Sequence, residues 1–368
     1  MDLPKLNIKN PFGKKKKAQN LVGLDIGSFE IKLVELHEDE HGTVSFIKAG
    51  KRPLSHGAIV DKDIRDREGV IYALQSVVDE VDPNISEVAI SLAGHKVLVD
   101  RVEVSTPSEK GKRDSQIQEA IFVEAEQRIP TGIDSVRLDY VELGKSEDEK
   151  HIQVMLFAAR NEIVEDYVGV VMDAGLVPII VDLDSIALFN AFEFNHNIPE
   201  EGCIALINIG HSLSNVAFIT NGSLFSIRDI SNAARSVWDR LQTELHLSTD
   251  DLKELMLGTV PLEQSPSTRR SVYNACEDLG IGLGMSFSYL ENVSGGLKID
   301  QVFLSGGAIG IPFLVDSLAN RLGVPCELID SLGRIRFDST AFGDTPLEYI
   351  RAVYTNGIGM ALRIREAV

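Results

Sequence analysis

The sequence predicts an α/β fold of two similar lobes with a cleft between them, and three observations carry that prediction. A theme of apolar strand, glycine turn and second strand occurs twice, at residues 21–36 and again at 203–220. Each copy adds a third strand and then helices, the mark of an internal duplication. A further glycine turn, Ser305-Gly306-Gly307, follows a late strand, so three strand ends carry glycine.

The first copy is the apolar run 21–25, the turn Ile26-Gly27-Ser28-Phe29-Glu30, a strand at 31–36 and a third at 44–49. Val70, Ile71, Leu74, Val77, Val78 and Val81 recur at helical spacing until Pro83 stops them, and 88–92 is again strand-like. The next stretch differs. Residues 97–104, 136–143 and 152–158 read as strands, with Val136, Leu138 and Tyr140 on one face and Arg137 and Asp139 on the other. A helix at 114–128 aligns Ile117, Ile121 and Ala125 on one stripe and ends at Ile129-Pro130. This strand–helix–strand–strand unit reads as an inserted subdomain, with polar loops at 110–112 and 145–150. Helix 163–174, strand 177–181 and helix 185–194, with Asp184 as its N-cap, resume the alternation.

The second copy comprises strand 203–207, the turn Asn208-Ile209-Gly210-His211-Ser212, strand 216–220, the hairpin turn Asn221-Gly222 and strand 224–227. Helices at 233–245, 250–257 and 268–292 form a block. Strand 299–304, helix 312–322, strand 325–329 and a closing helix at 349–365 complete the second lobe. The expected division is a basic tail (1–20), a first lobe core (21–91 and 157–200), the insert (92–156), a second lobe core (201–233 and 299–368) and its helical subdomain (234–298).

Charge narrows the function. The net charge of the 368 residues is −19, yet the first twenty carry +5 through Lys5, Lys9 and Lys14 to Lys17 against Asp2, which leaves −24 on the rest. So acidic a body repels phosphate backbones, which argues against nucleic acid as a partner. The lysine tail suits an anionic lipid surface at about 1 kcal/mol per lysine, too little to anchor without a second contact, and a solvated tail is the plainer reading. No apolar stretch approaches the ~20 residues of a membrane span, and no signal peptide is evident, which places the chain in the cytosol. Cys203, Cys276 and Cys326 have no paired spacing and read as reduced, buried thiols; neither HExxH nor CxxC occurs, so no structural transition metal is expected.

The chemistry resides in the three glycine turns, LDIGSFEIK at 24–32, INIGHSLS at 207–214 and FLSGGAIGIP at 303–312. Singly each is a tight turn. Together, two hairpins from duplicated lobes can face each other and cradle phosphates with their N–H groups, while a double glycine seats an adenosine. In order and type they resemble the actin, sugar-kinase and Hsp70 superfamily. More narrowly, residues 21–363 resemble the PilM family of type IV pilus assembly proteins, relatives of the cell-division protein FtsA. The resemblance rests on VGLDIGSFEIKLVEL, EAEQRIP (124–130), AARNEIVEDY (158–167), DAGLVPIIVDLDSIALFNAF (173–192), VFLSGGAIGIPFL (302–314), NGIGMALRIR (356–365) and the leader NPFGKKKK.

The resemblance implies an actin-like ATPase fold with an insert in the FtsA-type position. It also implies an ATP site, with ADP as the alternative occupant, formed by Asp25, Gly27, Ser28, Phe29, Asn208, Gly210, His211, Ser212, Ser214, Glu277, Gly306 and Gly307. Asp25 would hold Mg²⁺ through water. The implied partner is the cytoplasmic N-terminal peptide of PilN, gripped in a groove between first lobe and insert, and through it the PilN–PilO complex. Motor ATPases, the platform protein and a homo-oligomeric ring follow, with peripheral association at the inner membrane.

Two departures matter. Superfamily ATPases begin the second hairpin with aspartate, and Asn208 brings no charge to a metal or an attacking water, so hydrolysis is expected to be slow or absent. The helix bearing Glu277 has GIGLG at 280–284 where adenosine contacts are expected; three glycines cost about 1 kcal/mol each against alanine and permit either close packing or a kink. His211 reads as an exposed residue. Asp182 and Asp184 border the cleft, with the cap favoured for Asp184. A sugar kinase would need a general base, and none stands out. An FtsA-like polymer-forming tether would need an amphipathic terminal helix, and a chaperone a further domain; of these the tether is the runner-up.

Overall fold

The computed structural model describes residues 18–105, 113–145, 150–257, 260–342 and 346–367. The lysines of the basic tail and the loop 110–112 lie outside them, as does 146–149. The chain divides into two compact units, Leu92–Gly169 and the remainder.

The larger unit begins with β1 (Gln19–Ile26), β2 (Glu30–Glu38) and β3 (Val44–Pro53), a two-residue hairpin β4 (Ile59–Val60) and β5 (Asp63–Ile64), helix α1 (Arg67–Val81) and β6 (Glu87–Leu92). The three long strands form an antiparallel meander, and β6 joins β1 in parallel. Val70, Leu74, Val77, Val78 and Val81 of α1 are buried, and the Asp66 carboxylate caps its first turn by accepting from the Gly69 N–H at 2.9 Å.

The smaller unit contains β7 (Val97–Ser105), α2 (Arg113–Arg128), β8 (Val136–Lys145) and β9 (His151–Arg160), and α3 (Asn161–Asp173) leads out of it. Its three strands are antiparallel in the order β7-β9-β8. Ile117, Ile121 and Ala125 share a core with Val102, Val104, Val154 and Leu156, as their helical spacing predicts.

The larger unit resumes with β10 (Val177–Leu183), α4 (Asp184–Asn195), β11 (Cys203–Ile209), β12 (Ser214–Thr220) and β13 (Ser223–Ile230). The helical block is α5 (Ala234–Glu244), α6 (Thr249–Leu257), α7 (Pro266–Ala275) and α8 (Glu277–Val293). Then come β14 (Gln301–Ser305), α9 (Leu314–Leu322), β15 (Cys326–Leu328), α10 (Leu347–Val353) and α11 (Thr355–Ala367). The two sheets repeat one design: β10-β6-β1-β2-β3 and β15-β14-β11-β12-β13. Asn221 and Gly222 both take positive φ in the turn that joins β12 to β13, as Asn-Gly predicts.

The closing segment departs from the expected division. Residues 301–328 belong to the second sheet and its core, whereas the chain from 332 onward turns to the first. Leu332, Ile335, Ile358, Met360 and Ala361 join the core of the first sheet, and Arg336 exchanges backbone hydrogen bonds with Val44 and Phe46. Close approach makes this possible: a Cβ at Gly23 would lie 1.9 Å from the Gly357 carbonyl oxygen, and one at Gly359 would lie 1.8 Å from that of Ala187. Helix α4 faces both ways. Ala187 and Ala191 meet α11 and the first core, while Leu188 and Phe192 pack with Leu206, Ala217 and Ile219 of the second sheet. The two lobes therefore share a central helix pair.

Candidate functional site

The hairpins that close β1–β2 and β11–β12 face one another across a cleft. At both turns a glycine lies against the carbonyl three residues on: a Cβ at Gly27 would meet the Glu30 oxygen at 2.7 Å, and one at Gly210 the Leu213 oxygen at 2.6 Å. The hairpins touch. The hydroxyls of Ser28 and Ser212 are 2.7 Å apart, and the rings of Phe29 and His211 lie 5.2 Å apart between centroids. The Gly210 and His211 carbonyls accept from the Ala234 and Arg235 N–H groups, which ties the second hairpin to the start of α5.

Open space of about 730 Å³, its mouth to solvent included, lies around these turns. Of the predicted residues, Asp25, Gly27, Ser28, Phe29, Asn208, Gly210, His211, Ser212 and Gly307 line it. Ser214, Glu277 and Gly306 do not. The Ser214 hydroxyl is fully buried and donates to the Asn232 carbonyl at 2.8 Å. Glu277 pairs with Arg240 at 3.3 Å on the helical block. Gly306 (φ +99°) packs against the end of β11 and spends its N–H on the Ala352 carbonyl. Helix α8 runs unbroken through its glycines; Gly280 takes the stem of Arg321 and Gly282 the side chain of Asn232, so close packing accounts for both.

Asn208 is held by an amide ladder across three strands. Its Nδ2 donates to Asn215 Oδ1 at 3.0 Å, and Asn215 Nδ2 donates to Asp229 Oδ1 at 2.8 Å. His211 is largely enclosed rather than exposed as expected, and burial, with Arg235 adding to it, holds its pKa below the ordinary histidine value.

The floor of the cleft holds Glu30, Lys32 and Lys62, absent from the predicted set, and Asp184, expected at its border. Lys32 Nζ reaches Asp25 Oδ2 at 3.3 Å and Glu30 Oε1 at 3.4 Å; Lys51 approaches the other oxygen of Glu30 at 3.6 Å. Burial works against the Lys32 ammonium, but the Asp25 and Glu30 carboxylates outweigh it and raise its pKa above the usual lysine value. Asp184 does not cap α4, whose N-cap is Leu183. Its Oδ2 accepts from Lys62 Nζ at 2.9 Å and its Oδ1 from the Ser91 hydroxyl at 2.6 Å. Asp182 instead pairs with Arg363 of α11 at 2.8 Å. One signal for Lys32 was present in the sequence, because a tight turn at 27–29 places 32 directly opposite 25. Lys62 and Asp184 are 122 residues apart and carry no such signal.

The donor set is a poor fit for a divalent ion at Asp25. Such an ion is held by one or two carboxylates together with phosphate and water. Here Asp25 and Asp184 each face an ammonium, and Asn208 is neutral and engaged with Asn215.

Comparison with known proteins agrees with this architecture. Residues 23–365 match the family model of the type IV pilus assembly protein PilM. A solved PilM–PilN type IV pilus biogenesis complex superposes with a TM-score of 0.76 at 21% identity, covering 93% of this chain and 98% of that one. The ethanolamine utilization protein EutJ from Carboxydothermus hydrogenoformans gives 0.55 at 14% identity, covering 96% and 91%. The diol dehydratase-reactivating factor in its nucleotide-free form gives 0.50 at 9%, covering 95% and 100%. The fold is thus the actin-like α/β fold with two mixed sheets, and because the family match spans all but the ends, the chain belongs to the PilM family of type IV pilus assembly proteins.

Proposed function

We propose that this chain is a nucleotide-binding scaffold of the type IV pilus machinery, which holds the N-terminal peptide of a PilN-type membrane partner at the cytoplasmic face of the inner membrane. The observation that carries the nucleotide half is the meeting of two duplicated glycine hairpins over a polar cleft, with Ser28 and Ser212 in hydrogen-bond contact. The partner half is supported by family membership and by the fold shared with the PilM–PilN complex. Through that partner the scaffold links the motor ATPases and platform protein to a PilN–PilO assembly, as a homo-oligomeric ring.

In this reading ATP phosphates enter between the hairpins. They replace the Ser28–Ser212 bond and separate Phe29 from His211, so that ligand and lobe spacing are coupled. Ala234, Trp238 and Met256 are apolar members of the lining, suited to a base. Hydrolysis is slow or absent because Asn208 cannot accept a proton from water and its amide is committed to Asn215.

Titration calorimetry with a synthetic peptide of the partner's first dozen or so residues, with and without ATP, tests both halves. Saturable peptide binding at about micromolar Kd or tighter, shifted by ATP, is the expected result. Absence of peptide binding removes the scaffold reading, and peptide affinity indifferent to ATP removes the coupling.

A further inference from the structure

Lys62 occupies an unusual backbone. The β4–β5 hairpin pairs Val60 with Asp63, so its turn consists of Asp61 and Lys62 alone, at φ +51° and +68°. Two-residue turns of this kind favour Asn-Gly, because a side-chain-bearing residue is strained in the left-handed region. A lysine kept at a position that favours glycine, with its side chain only 10% exposed and aimed into a ligand cleft, is strain located at a site.

The ammonium has a defined seat. Asp25 and Ser91 lie near the ends of β1 and β6, and Asp184 follows β10, so neighbouring strands of one sheet converge on the cleft. Ser91 and Asp184 form a hydrogen-bonded pair, and Lys62 donates to the second oxygen of the same carboxylate. Lys32 bridges Asp25 and Glu30 in a matching way. Each carboxylate of the floor has an ammonium against it, and an ammonium carries three donors, enough to bind a carboxylate and a phosphate at once.

We propose that Lys62, together with Lys32, takes the place of the divalent cation in this cleft, bridging carboxylate and polyphosphate, so that nucleotide binds without a metal ion. This rests on the nucleotide reading above. Lys62 is then a ligand-binding residue, and Asp184 and Ser91 position it. With Lys62 removed, Asp184 is a buried carboxylate lacking that counter-charge and becomes a seat for a cation.

Calorimetric titration of the full chain with ATP, in EDTA and in MgCl₂, tests the proposal. For the natural protein the two Kd values should agree within about threefold. Lys62→Met should weaken binding in EDTA by about ten- to a hundredfold, the cost of one charged hydrogen bond, and MgCl₂ should restore part of it. Lys62→Arg, which keeps the charge, should stay closer to the natural protein. Natural protein that binds ATP in MgCl₂ but not in EDTA overturns this proposal and leaves the nucleotide reading standing. Natural protein that binds in neither overturns both. Lys62→Met that folds, by an unchanged melting profile, and binds normally in EDTA also overturns it; if that variant does not fold, the natural protein's EDTA titration still decides.

Discussion

Removing the Asp184 carboxylate leaves the Lys62 ammonium in a place where the two side chains are only 6% and 10% exposed. Loss of one member of a buried pair costs about 3–5 kcal/mol, against roughly 0–1 for a solvent-facing pair such as Arg65–Asp63. Asp184→Ala should therefore lower the unfolding free energy by about 3 kcal/mol, the lower end because the cleft opens to water, and Asp63→Ala by less than about 1. Urea titrations of the two variants measure the contrast. Equal losses would mean that Lys62 finds other compensation. Of the three cysteines expected to be buried, two are, and Cys326 is only partly so. Cys203 and Cys276 are buried free thiols, and burial pushes their pKa up to about 11 and about 12, so both resist thiolate chemistry at neutral pH.

At the scale of elements, the junction of α4 with the second sheet contains a titratable group. His196 caps the end of α4, stacks on Phe192 at 4.4 Å between ring centroids and leans on Phe303 of β14. Burial lowers its pKa below 6.5 in the fold. As pH falls below about 6.5 the unfolded chain takes up a proton at this site before the folded one does, so stability falls with pH until the folded value is passed. His196→Phe keeps the stack and removes the titration. Its unfolding free energy should vary less between about pH 7 and 5 than that of the natural protein. Parallel pH profiles for the two would show that His196 contributes nothing to the acid sensitivity.

For the whole molecule, the shared pair α4–α11 decides cooperativity. Each lobe core includes a face of that pair, so the lobes of the larger unit cannot melt one at a time. The single tryptophan, Trp238, belongs to the second lobe's core and reports on it alone. Gly359→Ala acts elsewhere, between α11 and α4, where its Cβ would sit 1.8 Å from a backbone oxygen. That clash should cost about 3 kcal/mol and move the Trp238 fluorescence midpoint in urea together with the circular-dichroism midpoint. A tryptophan midpoint left unmoved would show that the second lobe unfolds independently.

The sequence by itself determined everything that depends on local pattern. The two strand–turn–strand copies, the Asn221-Gly222 hairpin, the stripe of Ile117, Ile121 and Ala125, and each glycine turn by itself follow from spacing and turn chemistry over fewer than thirty residues. Even Asp25 opposite Lys32 is a matter of hairpin register. Tertiary structure alone decided the pairing of Lys62 with Asp184, the loss of Asp184 as a cap, the burial of Ser214 and the return of the closing helix to the first sheet. Those outcomes depend on which surfaces come together after the chain has folded. A carboxylate before a helix can cap it or bind a distant ammonium, and only the partner delivered by long-range packing selects between the two.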